Sequence, residues 1–170
     1  MDWSGAIRAA LLASLALTCV YTDVHRGKIY NKIVLPFIPI GLALWAMTGG
    51  WGGFVHGLAG MGVGGIALLI AAGPRWMAPG DAKLLTAIGA LTGPAFAGSA
   101  MVFAGLAGGL IGLTMMTRRR LLKQWAAGSV VAWSAHLPVS SFWADRAGFI
   151  PYSIPIAIGC AMAGIYPIWH

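Results

Sequence analysis

The main pattern along the chain is a repetition of long apolar stretches separated by short polar connections. A helix needs about 20 apolar residues to cross the hydrocarbon core of a bilayer, and six stretches approach that length. They are residues 4–22, 33–48, 54–73, 82–97, 98–117 and 150–168. The pattern predicts an all-α, polytopic membrane helix bundle with about six transmembrane helices.

Two parts of the chain fit this pattern less simply. The second apolar stretch is short and contains Pro36 and Pro39, which lack the backbone N–H that a helix interior uses. The segment at about 118–149 mixes an arginine run with large apolar side chains, and we expect it to lie along the membrane surface. It is too small to build a core of its own, so we predict a single membrane-embedded domain over residues 1–170.

The composition excludes an ordinary soluble domain, because 59% of the residues are hydrophobic and only 9% are charged, with a mean hydropathy of +0.81. The chain also has 25 glycines. Glycines four residues apart let helix backbones approach closely in lipid, although such pairs also arise by chance in so glycine-rich a sequence. The candidate pairs are Gly60 with Gly64, Gly105 with Gly109, and Gly108 with Gly112.

The positive charges indicate an orientation in the membrane. Ten of the eleven cations lie on one predicted side, and only Arg8 lies near the other. Cytoplasmic connections are usually rich in Lys and Arg, so the basic side is predicted to be cytoplasmic, beside the anionic inner leaflet. The connections near 49–53 and around Pro94 then face outward, as do both termini. Because the net charge of +7 follows this membrane pattern, we expect no nucleic-acid partner.

The candidate chemistry rests on the acidic residues, which are very few. The chain has no Glu, and its Asp residues are Asp2, Asp23, Asp81 and Asp145. Asp23 ends the first apolar stretch and Asp81 begins the fourth, with two crossings between them, so both are expected on one face at a similar depth. Ionisable groups at the edge of hydrocarbon are functional candidates, and two adjacent carboxyl groups sharing one proton can activate water and protonate a carbonyl oxygen.

Structural roles would also explain each carboxyl group taken singly. Asp81 follows Pro79 and Gly80, a sequence typical of a helix N-terminus. Asp23 would simply mark the point where the first helix meets water. The spacing along the sequence does not show that the two side chains meet.

The sequence around both aspartates resembles that of the type IV prepilin peptidases. Residues 79–84 (PGDAKL) resemble the family's G-x-G-D-x-K-L signature, and residues 23–31 (DVHRGKIYN) resemble its first motif, which ends in an Ile-Pro-Asn-like sequence. Residues 150–152 (IPY) are similar to the start of a Pro-Tyr-Gly motif. The departures are Ala78, Tyr30 and Ser153, which stand where the motifs have glycine, proline and glycine.

This resemblance implies a membrane-embedded aspartyl endopeptidase that removes the basic leader of prepilins at the cytoplasmic face of the bacterial inner membrane. It makes Asp23 and Asp81 the catalytic pair. Gly80, Lys83, Arg26 and Asn31 become substrate-binding or supporting residues, although Lys83 would serve equally as a membrane-surface anchor. The absence of a CxxC pair and of a large cytoplasmic insertion resembles the short, peptidase-only branch of the tight-adherence (Flp) pili, for which no metal or cofactor is expected.

Two other functions are compatible with paired acids among apolar helices. A small proton-coupled transporter also places carboxyl groups in the membrane, although its site usually lies near the midplane between repeats. A non-catalytic assembly factor of a secretion system would keep the fold without the reaction.

Overall fold

The computed structural model describes residues 3–72, 79–118, 153–166 and 168. Within these ranges the chain is helical and contains no strand, which confirms the predicted all-α class. The helices are α1 (Trp3–Arg26), α2 (Asn31–Val34), α3 (Phe37–Ala72), α4 (Pro79–Thr92), α5 (Pro94–Arg118) and α6 (Ser153–Ile165). Most of the predicted surface segment, together with Ala78, Pro151 and Tyr152, lies outside the described residues.

Helix α3 reverses direction at Gly50, where the backbone adopts φ 56° and ψ −140°. The rings of Trp45 and His56 lie 4.5 Å apart between centroids, whereas eleven residues of a straight helix span about 16 Å. The two halves, 37–49 and 51–72, therefore form an antiparallel hairpin. The reversal falls within the connection predicted at 49–53, and glycine suits it because a positive φ is unfavourable for residues with a Cβ.

Helix α4 packs against both halves of α3, and the helix backbones approach each other closely. A Cβ added at Gly41 would lie 2.7 Å from the carbonyl oxygen of Ala90, and Gly60 and Gly64 abut the backbone at Gly89 and Leu85. The Gly60–Gly64 pair is thus confirmed as a packing feature. In contrast, a Cβ at Gly105, Gly109 or Gly112 would meet no described atom within 4 Å, so the expectation of close packing at those pairs is wrong for these three residues.

The boundary between α4 and α5 lies at the connection expected around Pro94, a few residues before the boundary at 97 and 98 that the apolar stretches predicted. Helix α4 ends at Thr92, Gly93 has a φ of 88°, and α5 begins at Pro94. The apolar run is continuous through this region, so hydropathy does not mark the break. The Gly-Pro pair does, because glycine tolerates a positive φ and proline suits the first position of a helix.

Helices α5 and α6 form a second antiparallel pair. A Cβ at Gly159 of α6 would lie 2.5 Å from the carbonyl oxygen of Ala100 and 2.7 Å from the backbone nitrogen of Ala104. The backbone N–H of Ile168 donates to Oγ of Ser99, 3.2 Å away. Helix α6 therefore runs antiparallel to α5 and finishes near its start.

Three described segments are long and apolar enough to cross a membrane, namely Trp3–Arg26, Asn31–Ile66 and Pro94–Thr114, and the second contains the reversal at Gly50. Helix α6 is apolar but shorter. Large apolar side chains such as Leu17, Met47 and Leu106 are exposed, as expected where lipid is the solvent. The chain is thus a helical membrane protein, and the count of about six transmembrane helices stays a prediction.

Candidate active site

Two carboxyl groups are buried at one end of the bundle. Asp23 is 5% exposed and lies in the last two turns of α1, and Asp81 is 4% exposed and lies in the first turn of α4. Leu15, Cys19 and Asp23 form the buried stripe of α1, because residues four apart share one face of a helix. The side chain of Asp23 therefore faces the neighbouring helices, although Val24 and His25 beside it are exposed.

A third buried side chain, that of Cys19, lies near both aspartates. The thiol of Cys19 is completely buried, and the carboxyl groups of both Asp23 and Asp81 act on it electrostatically. Helices α1 and α4 pack against each other, so two carboxyl groups 58 positions apart in sequence lie at the same end of the bundle. Two carboxyl groups in contact with each other can share a proton and divide the roles of acid and base.

Asp23 also receives two hydrogen bonds from the first residue of α6. The backbone N–H of Ser153 donates to Oδ2 of Asp23 at 3.2 Å, and the Ser153 hydroxyl donates to the same oxygen at 2.7 Å. Sequence reasoning did not identify Ser153 as a site residue and noted it only in the place of a motif glycine. The available signal was a hydroxyl side chain at the predicted start of a helix.

Lys83 and Asn31 connect α4 to α2 beside the carboxyl pair. The Nζ of Lys83 donates to Oδ1 of Asn31 at 3.2 Å. Gly80 packs on the connection before α2, since a Cβ there would lie 3.2 Å from Cβ of Ile29. The structure therefore places the predicted supporting residues Gly80, Lys83 and Asn31 in one layer over the N-terminus of α4.

Arg26 turns toward the same connection. Its Nη1 lies 3.5 Å from the hydroxyl of Tyr30, and its guanidinium is 5.9 Å from the centre of that ring. Both side chains are exposed. Gly27, with a φ of 62°, ends α1 between them, and its N–H donates to the carbonyl oxygen of Asp23 at 2.8 Å. Tyr30, which stands where the motif has proline, thus holds Arg26 at the surface.

The opposite end of the bundle carries a different polar cluster. Arg8 stacks over the ring of Trp45 at 3.7 Å and donates to Oγ1 of Thr48 at 3.0 Å. The indole N–H of Trp45 in turn donates to the carbonyl oxygen of Leu91. Among the described residues, no group of three or more His, Cys, Asp or Glu side chains could hold a metal ion.

A pair of buried carboxyl groups at one end of an apolar helix bundle defines a membrane protein with a candidate acid–base site. A sequence model of the type IV leader peptidase family matches residues 10–113, more than half of the chain. The chain belongs to this family and is a peptidase of the type IV leader class. The matched region includes Asp23 and Asp81 and ends before α6. Comparisons with curated proteins and with solved structures give no match.

Proposed function

We propose that this protein is an aspartic endopeptidase that removes the basic leader of Flp-type prepilins at the cytoplasmic face of the bacterial inner membrane. The observation that carries the proposal is the burial of both Asp23 and Asp81 at the same end of the bundle, each near the buried side chain of Cys19. Burial of two like charges at one place is costly unless they share a proton. A purely structural role at a helix end would not require both carboxyl groups to be buried.

The chemistry follows from the shared proton. The ionised carboxyl group takes a proton from water as the water oxygen attacks the carbonyl carbon of the scissile peptide bond. The protonated carboxyl group gives its proton to the carbonyl oxygen. Because the site lies among apolar helices, bulk water is limited, and the electrostatic interactions of the pair are stronger than they would be in water.

Charge supports the cytoplasmic assignment. The end of the bundle that carries the carboxyl pair also carries Arg26, Lys28, Lys32 and Lys83, whereas Arg8 lies with Thr48 at the other end. Basic residues favour the cytoplasmic side, so we place the active site at the inner leaflet and both termini outside. A multi-pass topology in the inner membrane follows from this orientation.

The proposed substrate follows from the family and from the charge of the residues around the two aspartates. Type IV leader peptidases act on prepilins, whose leaders are basic and precede an apolar helix. The exposed loops here are also basic, so they would not attract the leader by charge. We propose that the apolar prepilin helix lies beside the bundle in lipid and that the leader gathers at the anionic inner leaflet.

The Flp-type assignment rests on the positions of the two cysteines. The two cysteines, Cys19 and Cys160, lie in separate helices of the bundle, so they do not form a CxxC pair such as the resemblance implies for longer members of the family. We therefore propose leader removal without methylation of the new pilin terminus.

Co-expression with a Flp-type prepilin tests the proposal. Wild-type protein should convert the prepilin to a faster-migrating form on an immunoblot, and Asp23→Asn and Asp81→Asn should each lower cleavage by about a hundredfold or more. The asparagine variants should insert and accumulate normally, because the substitution preserves side-chain volume. Cleavage by either variant at the wild-type rate would contradict the catalytic assignment, and failure of the wild type on several prepilins would contradict the substrate.

A further inference from the structure

Helix α1 carries a row of hydrogen-bonding side chains on its exposed surface. Ser14, Thr18, Tyr21 and His25 are all exposed, and residues three or four apart lie on one face of a helix. The row therefore forms a single strip, which we call the polar face of α1. It extends for about 16 Å, at about 1.5 Å per residue, from the middle of the helix to its last turn.

Such a face is unusual for a helix in lipid. Ser, Thr and His side chains of membrane helices usually face other helices or a water-filled cavity, because hydrocarbon offers them no hydrogen-bond partner. The large exposed residues along the middle of α5 and α6 are instead apolar. They include Val102, Leu106 and Leu110 on α5, and Ile158 and Met162 on α6. The polar face of α1 thus indicates that another helix packs there.

The hydrogen bonds of the polar face show that it is satisfied when no partner is bound. The hydroxyl of Ser14 donates to the carbonyl oxygen of Leu11 at 2.8 Å, and that of Thr18 donates to the carbonyl oxygen of Ser14 at 2.7 Å. Nδ1 of His25 lies 3.0 Å from the carbonyl oxygen of Tyr21. The hydroxyl oxygens keep lone pairs that can still accept a hydrogen bond from a neighbour. This arrangement suits a partner that binds and then leaves.

The polar face ends at the level of the candidate active site. Asp23 lies between Tyr21 and His25 in the sequence, on the buried stripe that also contains Cys19. Each residue turns the helix by about 100°, so the buried stripe and the polar face are about a third of a turn apart, with half-buried Thr22 between them. A peptide that lies along the polar face can therefore reach Asp23 by passing around the end of α1.

We propose that the polar face of α1 is the docking surface for the apolar helix of the prepilin. This rests on the proposed peptidase function. The leader lies at the cytoplasmic end, so the prepilin helix runs antiparallel to α1 and its first turn lies beside Tyr21 and His25. The small side chains of Ser14 and Thr18 let the two helix backbones approach closely. A substrate surface has to end where the scissile bond meets Asp23, whereas contact with a second copy of the chain has no such requirement.

Cleavage kinetics with a Flp-type prepilin test the docking surface. Ser14→Leu combined with Thr18→Leu should raise KM about tenfold and leave kcat nearly unchanged, because the change removes binding and not chemistry. Both variants should accumulate normally in the membrane, since leucine is favourable in lipid. Ser14→Thr combined with Thr18→Ser keeps two small hydroxyl side chains and should retain the wild-type KM.

Two threonines on α5 provide the matched control. Thr114 and Thr117 are also exposed, and their hydroxyls also donate to carbonyl oxygens of their own helix. They lie in the last turns of α5, outside the polar face of α1. Thr114→Leu combined with Thr117→Leu makes the same chemical change and should leave KM unchanged.

Photo-crosslinking identifies the partner directly. A photoreactive amino acid in place of Leu17, which is 71% exposed beside Thr18, should couple to the apolar helix of the prepilin. The same amino acid in place of Leu106 on α5, which is 66% exposed, should not. The Asp81→Asn background keeps the prepilin uncleaved, and an immunoblot against the prepilin detects the coupled product.

Several outcomes would overturn the proposal in an enzyme that cleaves its prepilin. They are an unchanged KM in the double leucine variant of α1, an equal rise in KM in the α5 control, and coupling from position 17 to a second copy, to the chain itself or to lipid with none to the prepilin. Failure of the proposed function looks different, because it appears as an inactive wild type or an active Asp23→Asn variant.

Discussion

Lys83 in α4 donates a hydrogen bond from Nζ to Oδ1 of Asn31 at the start of α2, across 3.2 Å. The two residues are 52 positions apart in the chain, and each lies close in sequence to one of the paired aspartates. Their contact holds the connection after α1 against the first turn of α4. We infer that it keeps Asp23 and Asp81 in register at the membrane surface.

The first prediction concerns this contact. Lys83→Met and Asn31→Ala should each slow prepilin cleavage several-fold, and the double variant should be no slower than the worse single one, because both remove the same hydrogen bond. Lys32→Met is the control, since Lys32 is exposed on α2 and should tolerate the change. Losses that multiply would instead assign Lys83 to membrane anchoring, separate from Asn31.

The second prediction treats Asp23 and Asp81 as one unit. Each asparagine variant should retain a trace of activity, and Asp23→Asn combined with Asp81→Asn should be about as slow as the worse single variant. Wild-type cleavage should fall at both low and high pH, because one proton must be present and one absent. Initial rates with one prepilin in one detergent measure this, and independent losses that multiply would make one aspartate structural.

The third prediction concerns the close packing of α3 and α4. Gly64 abuts the backbone of Leu85, whereas a Cβ at Gly62 would meet no described atom within 4 Å. Gly64→Leu should therefore separate the helices and destabilise the protein by about 2 kcal/mol or more. Gly62→Leu should have little effect. Thermal inactivation and membrane abundance measure the difference, and equal behaviour of the two variants would contradict the packing.

The fourth prediction concerns orientation. Single cysteines placed near residue 28 should react only with reagents on the cytoplasmic side, and cysteines near residue 50 only from outside. Cys19 and Cys160 are buried, so their background labelling should be low. Labelling of residue 28 from outside would invert the proposed topology, although the shared depth of Asp23 and Asp81 would remain.

The sequence by itself determined the membrane class and the candidate pair. Apolar stretches must be helical in lipid because backbone groups have no water to pair with, so hydropathy leads directly to the all-α class. Asp23 and Asp81 stand out because charged groups are rare and costly in such stretches. Their expected common depth follows from counting crossings and needs no knowledge of packing.

Tertiary structure alone decided which helix faces pack against each other and which residues lie beside the two aspartates. Hydropathy averages over neighbouring residues, so the apolar stretches put a boundary at residues 97 and 98, whereas the helices separate at Gly93, next to the connection expected around Pro94. Gly60 and Gly105 have the same local spacing pattern, yet Gly60 contacts another backbone and Gly105 meets no described atom, because the outcome depends on which helix face is turned inward. Ser153 lies 130 residues from Asp23, and only the packing of α6 against α1 brings its hydroxyl to the carboxylate.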